Sequence, residues 1–210
     1  MLLFGLGLAL VVFSLNSPLE TLAAHYLVLA HLLQNALIAD WAPPLLILGL
    51  TPEMRRALER RGGRPMAAVT RPPVALAIWL TGWYLVHAAP IYEGFLRNPP
   101  LLNAEHVALI AIGLIFWWPV LGAAREPAGE IVLYLLVAFV AVSFLGLAFT
   151  FISRPFYQFY VEAPRVWGLS ASEDQNLGGV IMNAEQSVVF LSAIVYVLAV
   201  VLDRQERGAP

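Results

Sequence analysis

Residues 24–50 read AHYLVLAHLLQNALIADWAPPLLILGL, an apolar run that nonetheless carries His25, His31, Gln34, Asn35 and Asp40. Its length suits a membrane-crossing helix, because about 20 apolar residues span a hydrocarbon layer ~30 Å thick. Lipid gives an imidazole or a carboxylate no hydrogen bond, so ionisable groups within a span face a bundle interior and mark a functional site. The alternative is structural: Gln34 and Asn35 as hydrogen-bonding links between helices, and a histidine held at a helix end near the headgroups. Pro43-Pro44 removes two backbone donors from the run, which predicts a kink or break there. Counted from Leu19 to Leu50 as one helix, the segment would be about 48 Å long at 1.5 Å per residue, so tilt, kink or protrusion must absorb the excess.

The rest of the chain repeats the pattern. It is 60% hydrophobic and 12% charged, with a mean hydropathy of +0.76, and we read an all-α polytopic membrane helix bundle of about six transmembrane helices. The whole of residues 1–210 is expected to form a single transmembrane domain. The expected spans are Met1–Leu15, the central segment, Val74–Pro90, Glu105–Gly122, Glu130–Ile152, and a last one opened by the capping box Ser170-x-x-Glu173 and running to about Leu202. Met1–Leu15 has neither a basic leader nor a small-residue cleavage site, so a short first span is expected rather than a removed signal peptide. Ser17 and Pro18 then supply a cap and a first helical position. Thr51–Pro73 reads as a charged loop, Tyr92–Asn103 as a short polar connection, and 153–168 as an aromatic, proline-bearing loop.

Arginine placement sets an orientation. All twelve basic residues are arginine; nine lie in the 51–73 loop, the 123–129 loop (Arg125, beside Glu126) and the tail (Arg204, Arg207), against Arg97, Arg154 and Arg165 in the alternate loops. The positive-inside rule therefore places both termini in the cytoplasm. On that topology all four histidines, His25, His31, His87 and His106, fall in the outer half of the membrane, with Glu105 beside His106 at the start of its span and Met182 and Glu185 two to four turns into the last one. An inverted topology would keep the histidines together on the other side. His31 and Asn35 share a helix face, whereas His25 points roughly 120° away from His31. Imidazoles with a carboxylate suit Cu(II) or Zn, a thioether favours Cu(I), and a histidine pair can hold a haem iron. A purely structural polar cluster stands beside these readings, with Glu185 and Asp40 as acceptors for a neighbouring Trp or Tyr and Met182 as core filler.

Other classes find no support. There is no cysteine, which excludes disulfides, thiolate metal sites and cysteine nucleophiles. The net charge of −2, with no dominant basic face, excludes nucleic acid as a partner. No phosphate loop, nucleophile elbow or HExxH is present, so the protein is expected not to be an enzyme.

Several stretches taken together resemble the CtaG family of bacterial cytochrome c oxidase assembly proteins. They are Ser17-Pro-Leu-Glu20, His31-Leu-Leu-Gln-Asn35 leading to Ala42-Pro-Pro-Leu-Leu46, His87-x-x-Pro90, Glu105-His106 with Phe116-Trp-Trp-Pro119, and Pro164-Arg-x-Trp-Gly-Leu-Ser170-x-x-Glu173-Asp-Gln175 with Gly178-Gly-x-Ile-Met182. The resemblance implies a multi-pass protein of the bacterial inner membrane that handles copper during assembly of a haem-copper oxidase, with oxidase subunits and the lipid bilayer as partners. Carried over by position, His31, His87 and His106 align with histidines of the family pattern, and His25 lies beside the same segment. Asn35 and Asn103 stand where the pattern has further histidines, and Asn183 follows Met182 where the pattern has tryptophan. Two rivals remain open at this stage: a metal-free accessory subunit of a terminal oxidase, and a haem-binding electron carrier.

Overall fold

A computed structural model describes residues 1–123 and 127–208, with side chains to residue 203. Arg125, Glu126 and the side chains of Arg204 and Arg207 lie outside the described residues. The described chain is helical, with no strand. Among the described residues, four helical stretches are long and apolar enough to cross a membrane: Val28–Gly49, α8 (Pro99–Leu121), α9 (Ala128–Phe151) and Ala171–Asp203 of α11 (Ala171–Gly208). Two bent pairs bring the total to as many as six. They are α1 (Leu2–Asn16) with α2 (Pro18–His25), bent by 49°, and α6 (Pro72–Val86) with α7 (Ala89–Leu96), bent by 70°. The first bend lies at Ser17, whose Oγ accepts from the Leu19 N–H ahead of the new helix.

The central segment departs from the expected kink at the prolines. It breaks earlier, at Tyr26–Leu27, and then α3 (Val28–Ala36) passes through one wide π turn, Leu37–Trp41, into α4 (Ala42–Gly49). Pro43 and Pro44 have no N–H, so the carbonyls of Ala39 and Asp40 lose their α-type donors. The backbone answers one turn ahead, where the Ala42 N–H reaches back to the Leu37 carbonyl. The helix thus continues without a sharp break. Gly113 of α8 sits against this segment, and a Cβ there would lie 2.3 Å from the Ala39 carbonyl oxygen.

The expected loop 51–73 is a second departure, because Pro52–Val69 forms a helix, α5. Thr51 caps it by accepting from the Met54 N–H, and Pro52 occupies its first turn. The interruption falls at Gly63, where φ is +52° and a side chain would be strained. The charge density that suggested a loop serves instead to dock the helix. Arg55 donates to the Leu121 carbonyl at 2.5 Å, and Glu59 accepts from the Trp118 indole at 3.0 Å and the Ala123 N–H at 2.9 Å. Most of the expected polar connection 92–103 is helical as well, divided between α7 and the start of α8, which places Glu105 and His106 beyond the first turn of α8.

The core is aromatic. Trp79 stacks on Phe116 at 4.3 Å and on Trp83 at 5.8 Å, and Phe190 of α11 closes the cluster. Outward, α9 exposes Leu133, Val140, Phe144 and Phe151, an apolar surface suited to lipid.

Within such a surface a broken helix must satisfy its ends internally. The start of α3 has no cap of its own, and Asp174 of α11 provides one, accepting from the Val28 N–H at 2.9 Å and the Leu29 N–H at 3.0 Å. Its neighbour Gln175 closes the end of α9, donating to the carbonyls of Ile152 and Arg154 and accepting from the Phe156 N–H. The box at Ser170 and Glu173 forms as expected, with reciprocal bonds of 3.2 and 2.8 Å. Asp174→Ala is therefore expected to cost on the order of 2 kcal/mol, visible as a lower unfolding midpoint in detergent, with Asp174→Asn intermediate. An unchanged midpoint would remove this cap from the account.

Candidate metal centre

Three side chains from two spans converge where the polar run predicted a site. His31 comes from α3, and Glu105 and His106 are successive residues on α8, diverging by about 100° around the helix. All three are no more than 2% exposed. One ligand atom from each lies within 4.8 Å of the others. Glu105 Oε2 is 3.4 Å from His106 Nε2 and 3.9 Å from His31 Nε2.

Hydrogen bonds fix how these groups are presented. Tyr160, on the short helix α10 (Gln158–Glu162), donates its single hydroxyl proton to the Ala23 carbonyl at 2.5 Å. Its oxygen is then an acceptor for His31 Nδ1, 3.0 Å away, so Nδ1 carries a hydrogen and Nε2 is the ring nitrogen turned toward Glu105. A metal-binding imidazole is held in this way, with a partner on one ring nitrogen and the other facing the ion. Glu105 is oriented in the same way. Its Oε1 accepts from Asn35 Nδ2 at 2.9 Å, leaving Oε2 turned to the two imidazoles with no hydrogen-bond partner. Asn35, one of the positions where the family pattern has histidine, thus positions the carboxylate from behind.

The donor set fits an ion. A tetrahedral ion with bonds of ~2.0–2.1 Å sets its ligands about 3.4 Å apart; the Glu105–His106 pair already has that spacing, and His31 would have to draw in. Both imidazole Nε2 atoms and Glu105 Oε2 are buried and face one another at 3.4 and 3.9 Å without an aligned hydrogen bond, and a shared cation would satisfy all three. Two nitrogens and an oxygen match borderline cations such as Cu(II) and Zn.

The other candidates are distributed around this centre. His87 ends α6 and is buried; its Nδ1 donates to the Trp83 carbonyl at 2.7 Å, leaving Nε2 without a hydrogen-bond partner. It stands outside the triad, with the Tyr92 ring packed against both it (6.0 Å) and His31 (4.7 Å). His25 is exposed at the end of α2 with Tyr26 as its ring neighbour, and takes no part in the triad. Met182 is fully buried in the aromatic core. Glu185 lies elsewhere, with Oε2 accepting from the Trp41 indole at 3.0 Å, a structural acceptor role of the kind foreseen for it. Asn103 is exposed on α8, so the imidazole missing there takes nothing from the triad.

Sequence reasoning did not find Tyr160, Tyr92 or Tyr157, whose hydroxyl donates to the His87 carbonyl at 2.8 Å. Tyr157 and Tyr160 belong to a connecting segment whose only available signal was the density of tyrosine and phenylalanine in 156–160, and Tyr92 lies in the short helix α7, which reads as a polar connection in the sequence.

No curated protein and no solved structure matches this chain. The sequence model of the cytochrome c oxidase caa3 assembly factor family (Caa3_CtaG) matches residues 1–204, nearly the full length. The order of motifs that suggested the CtaG family is thus borne out, and the chain belongs to the cytochrome c oxidase caa3 assembly factor family.

Proposed function

We propose that this protein binds copper at His31, Glu105 and His106 and makes it available to a haem-copper oxidase under assembly. The observation that carries the reading is the convergence of three buried ligand atoms, with His31 Nε2 aimed by Tyr160 and the Glu105 oxygen aimed by Asn35. His87 is close by with a free Nε2 and serves as an auxiliary ligand during transfer. The role is assembly rather than catalysis. The ion is cargo, and its partners are oxidase subunits in the same bilayer. The arginine distribution supports a bacterial inner membrane protein with both termini cytoplasmic and the centre in the outer half, facing copper supplied from outside.

Elemental analysis of the protein purified in mild detergent and loaded with copper tests the ligand set. One copper per chain is expected. His31→Ala and His106→Ala are each expected to lose it while keeping the helical circular dichroism spectrum. Asn35→Ala is expected to weaken binding 10- to 100-fold, the usual effect of removing a group that orients a ligand. Full copper occupancy in both histidine variants would refute the site, and a Soret band in the purified protein would favour the haem reading.

Because the chain has no cysteine, single introduced thiols report its orientation without background. Asn98→Cys is expected to react with a membrane-impermeant maleimide in intact cells, and Arg61→Cys only after permeabilisation. The reverse pattern would place the centre on the cytoplasmic side.

A further inference from the structure

The arginine-rich end of the bundle carries a groove that the histidine centre does not use. It has a volume of about 590 Å³ and lies between the start of α1, the end of α4, α5 and the second half of α8, with Phe4, Leu8, Leu46, Leu58, Met66 and Ile115 in its wall. The two polar side chains of the wall are already bonded. The Trp118 indole N–H is given to Glu59 at 3.0 Å and the Thr70 hydroxyl to the Met66 carbonyl at 2.8 Å. Leu8 and Leu58 are exposed, so the groove opens outward.

Charge is concentrated beside this apolar slot. Residues 52–71 hold six arginines against Glu53 and Glu59. Arg55 is spent on the Leu121 carbonyl and Arg56 on Glu53. Arg60, Arg61, Arg64 and Arg71 are exposed and make no hydrogen bond or ion pair among the described residues. Arg61 follows Leu58 by three residues, ahead of the interruption at Gly63, and so stands on the helix face that Leu58 turns to the groove. Arg71 lines a smaller cavity of about 220 Å³ that shares Met66, Thr70 and Trp118 with the groove. Glu59 lines that cavity too, with one carboxylate oxygen held by the Trp118 indole and the Ala123 N–H.

A hydrocarbon slot beside unpaired guanidiniums is complementary to a molecule already dissolved in the bilayer, an anionic phospholipid. A second copy of the chain would bring arginine against arginine. An apolar helix would fill the slot and leave the guanidiniums unpaired, and a zwitterionic lipid would set its ammonium among them. We propose that the groove holds an acyl chain of an anionic phospholipid whose phosphate is bound by Arg61 and Arg71. The groove shares no residue with His31, Glu105 and His106, so neither proposal depends on the other.

Native mass spectrometry of the full chain, released from micelles holding equal amounts of dioleoyl phosphatidylglycerol and dioleoyl phosphatidylcholine, tests this. Bound phosphatidylglycerol is expected to exceed bound phosphatidylcholine about tenfold, and the excess to fall about fivefold in Arg61→Gln and in Arg71→Gln. Leu8→Trp, which fills the groove from its exposed edge, is expected to lose the bound lipid. Arg154→Gln, which removes the same charge beyond the far end of α9, is expected to leave the excess unchanged. Equal binding of the two lipids, an excess unchanged in both Arg61→Gln and Arg71→Gln, an equal fall in Arg154→Gln, or full retention in Leu8→Trp would each overturn the proposal. So would displacement by glycerol phosphate, which has the headgroup and no chain.

Discussion

A bilayer provides no water for an unpaired backbone group, and that constraint governs this fold. The chain breaks its central segment at Tyr26–Leu27 and bends two further pairs of helices, so it must supply partners for each free end. Three successive side chains of α11 supply most of them. Asp174 closes the start of α3, Gln175 the end of α9, and Asn176 donates to the Phe149 and Ile152 carbonyls. Tyr160 does the same for the Ala23 carbonyl at the end of α2. These bonds hold the polar segment of α3 at a fixed height against α8 and α11.

The histidine–glutamate cluster inherits its geometry from that arrangement. The tyrosine that satisfies a broken helix end is also the one that sets the His31 tautomer, so closing the backbone and preparing the ligand are one event. Asn35 lies one helical turn beyond His31 and fixes Glu105 across the helix interface. A buried carboxylate facing two imidazole nitrogens is a favourable grouping around a cation.

Much of this was legible in the sequence. The apolar runs announced the spans, the capping box announced the start of α11, and the polar residues of 24–50 announced a site. His31 and the Glu105-His106 pair do meet, because residues at matching depth on neighbouring spans are brought together by packing. His25 does not join them, as its 120° offset on the helix foreshadowed; the break at Tyr26–Leu27 then separates it further. The helix over 52–69 was hidden because arginine and glutamate there bind the end of α8 rather than bulk water, an arrangement that depends on residues sixty positions away. The π turn was hidden for a related reason: two prolines announce lost donors, but whether the backbone breaks or widens depends on what packs beside it, here Gly113. The tyrosines of 157–160 act through contacts distant in the chain, and no local period reports those.

X-ray absorption at the copper edge of the loaded protein examines the ligand set most directly. The geometry described here requires a first shell of nitrogen and oxygen at about 2.0 Å, with outer-shell scattering from two imidazoles. A sulfur shell near 2.3 Å, which would bring in a methionine such as Met182, or a spectrum without imidazole scattering, would contradict it.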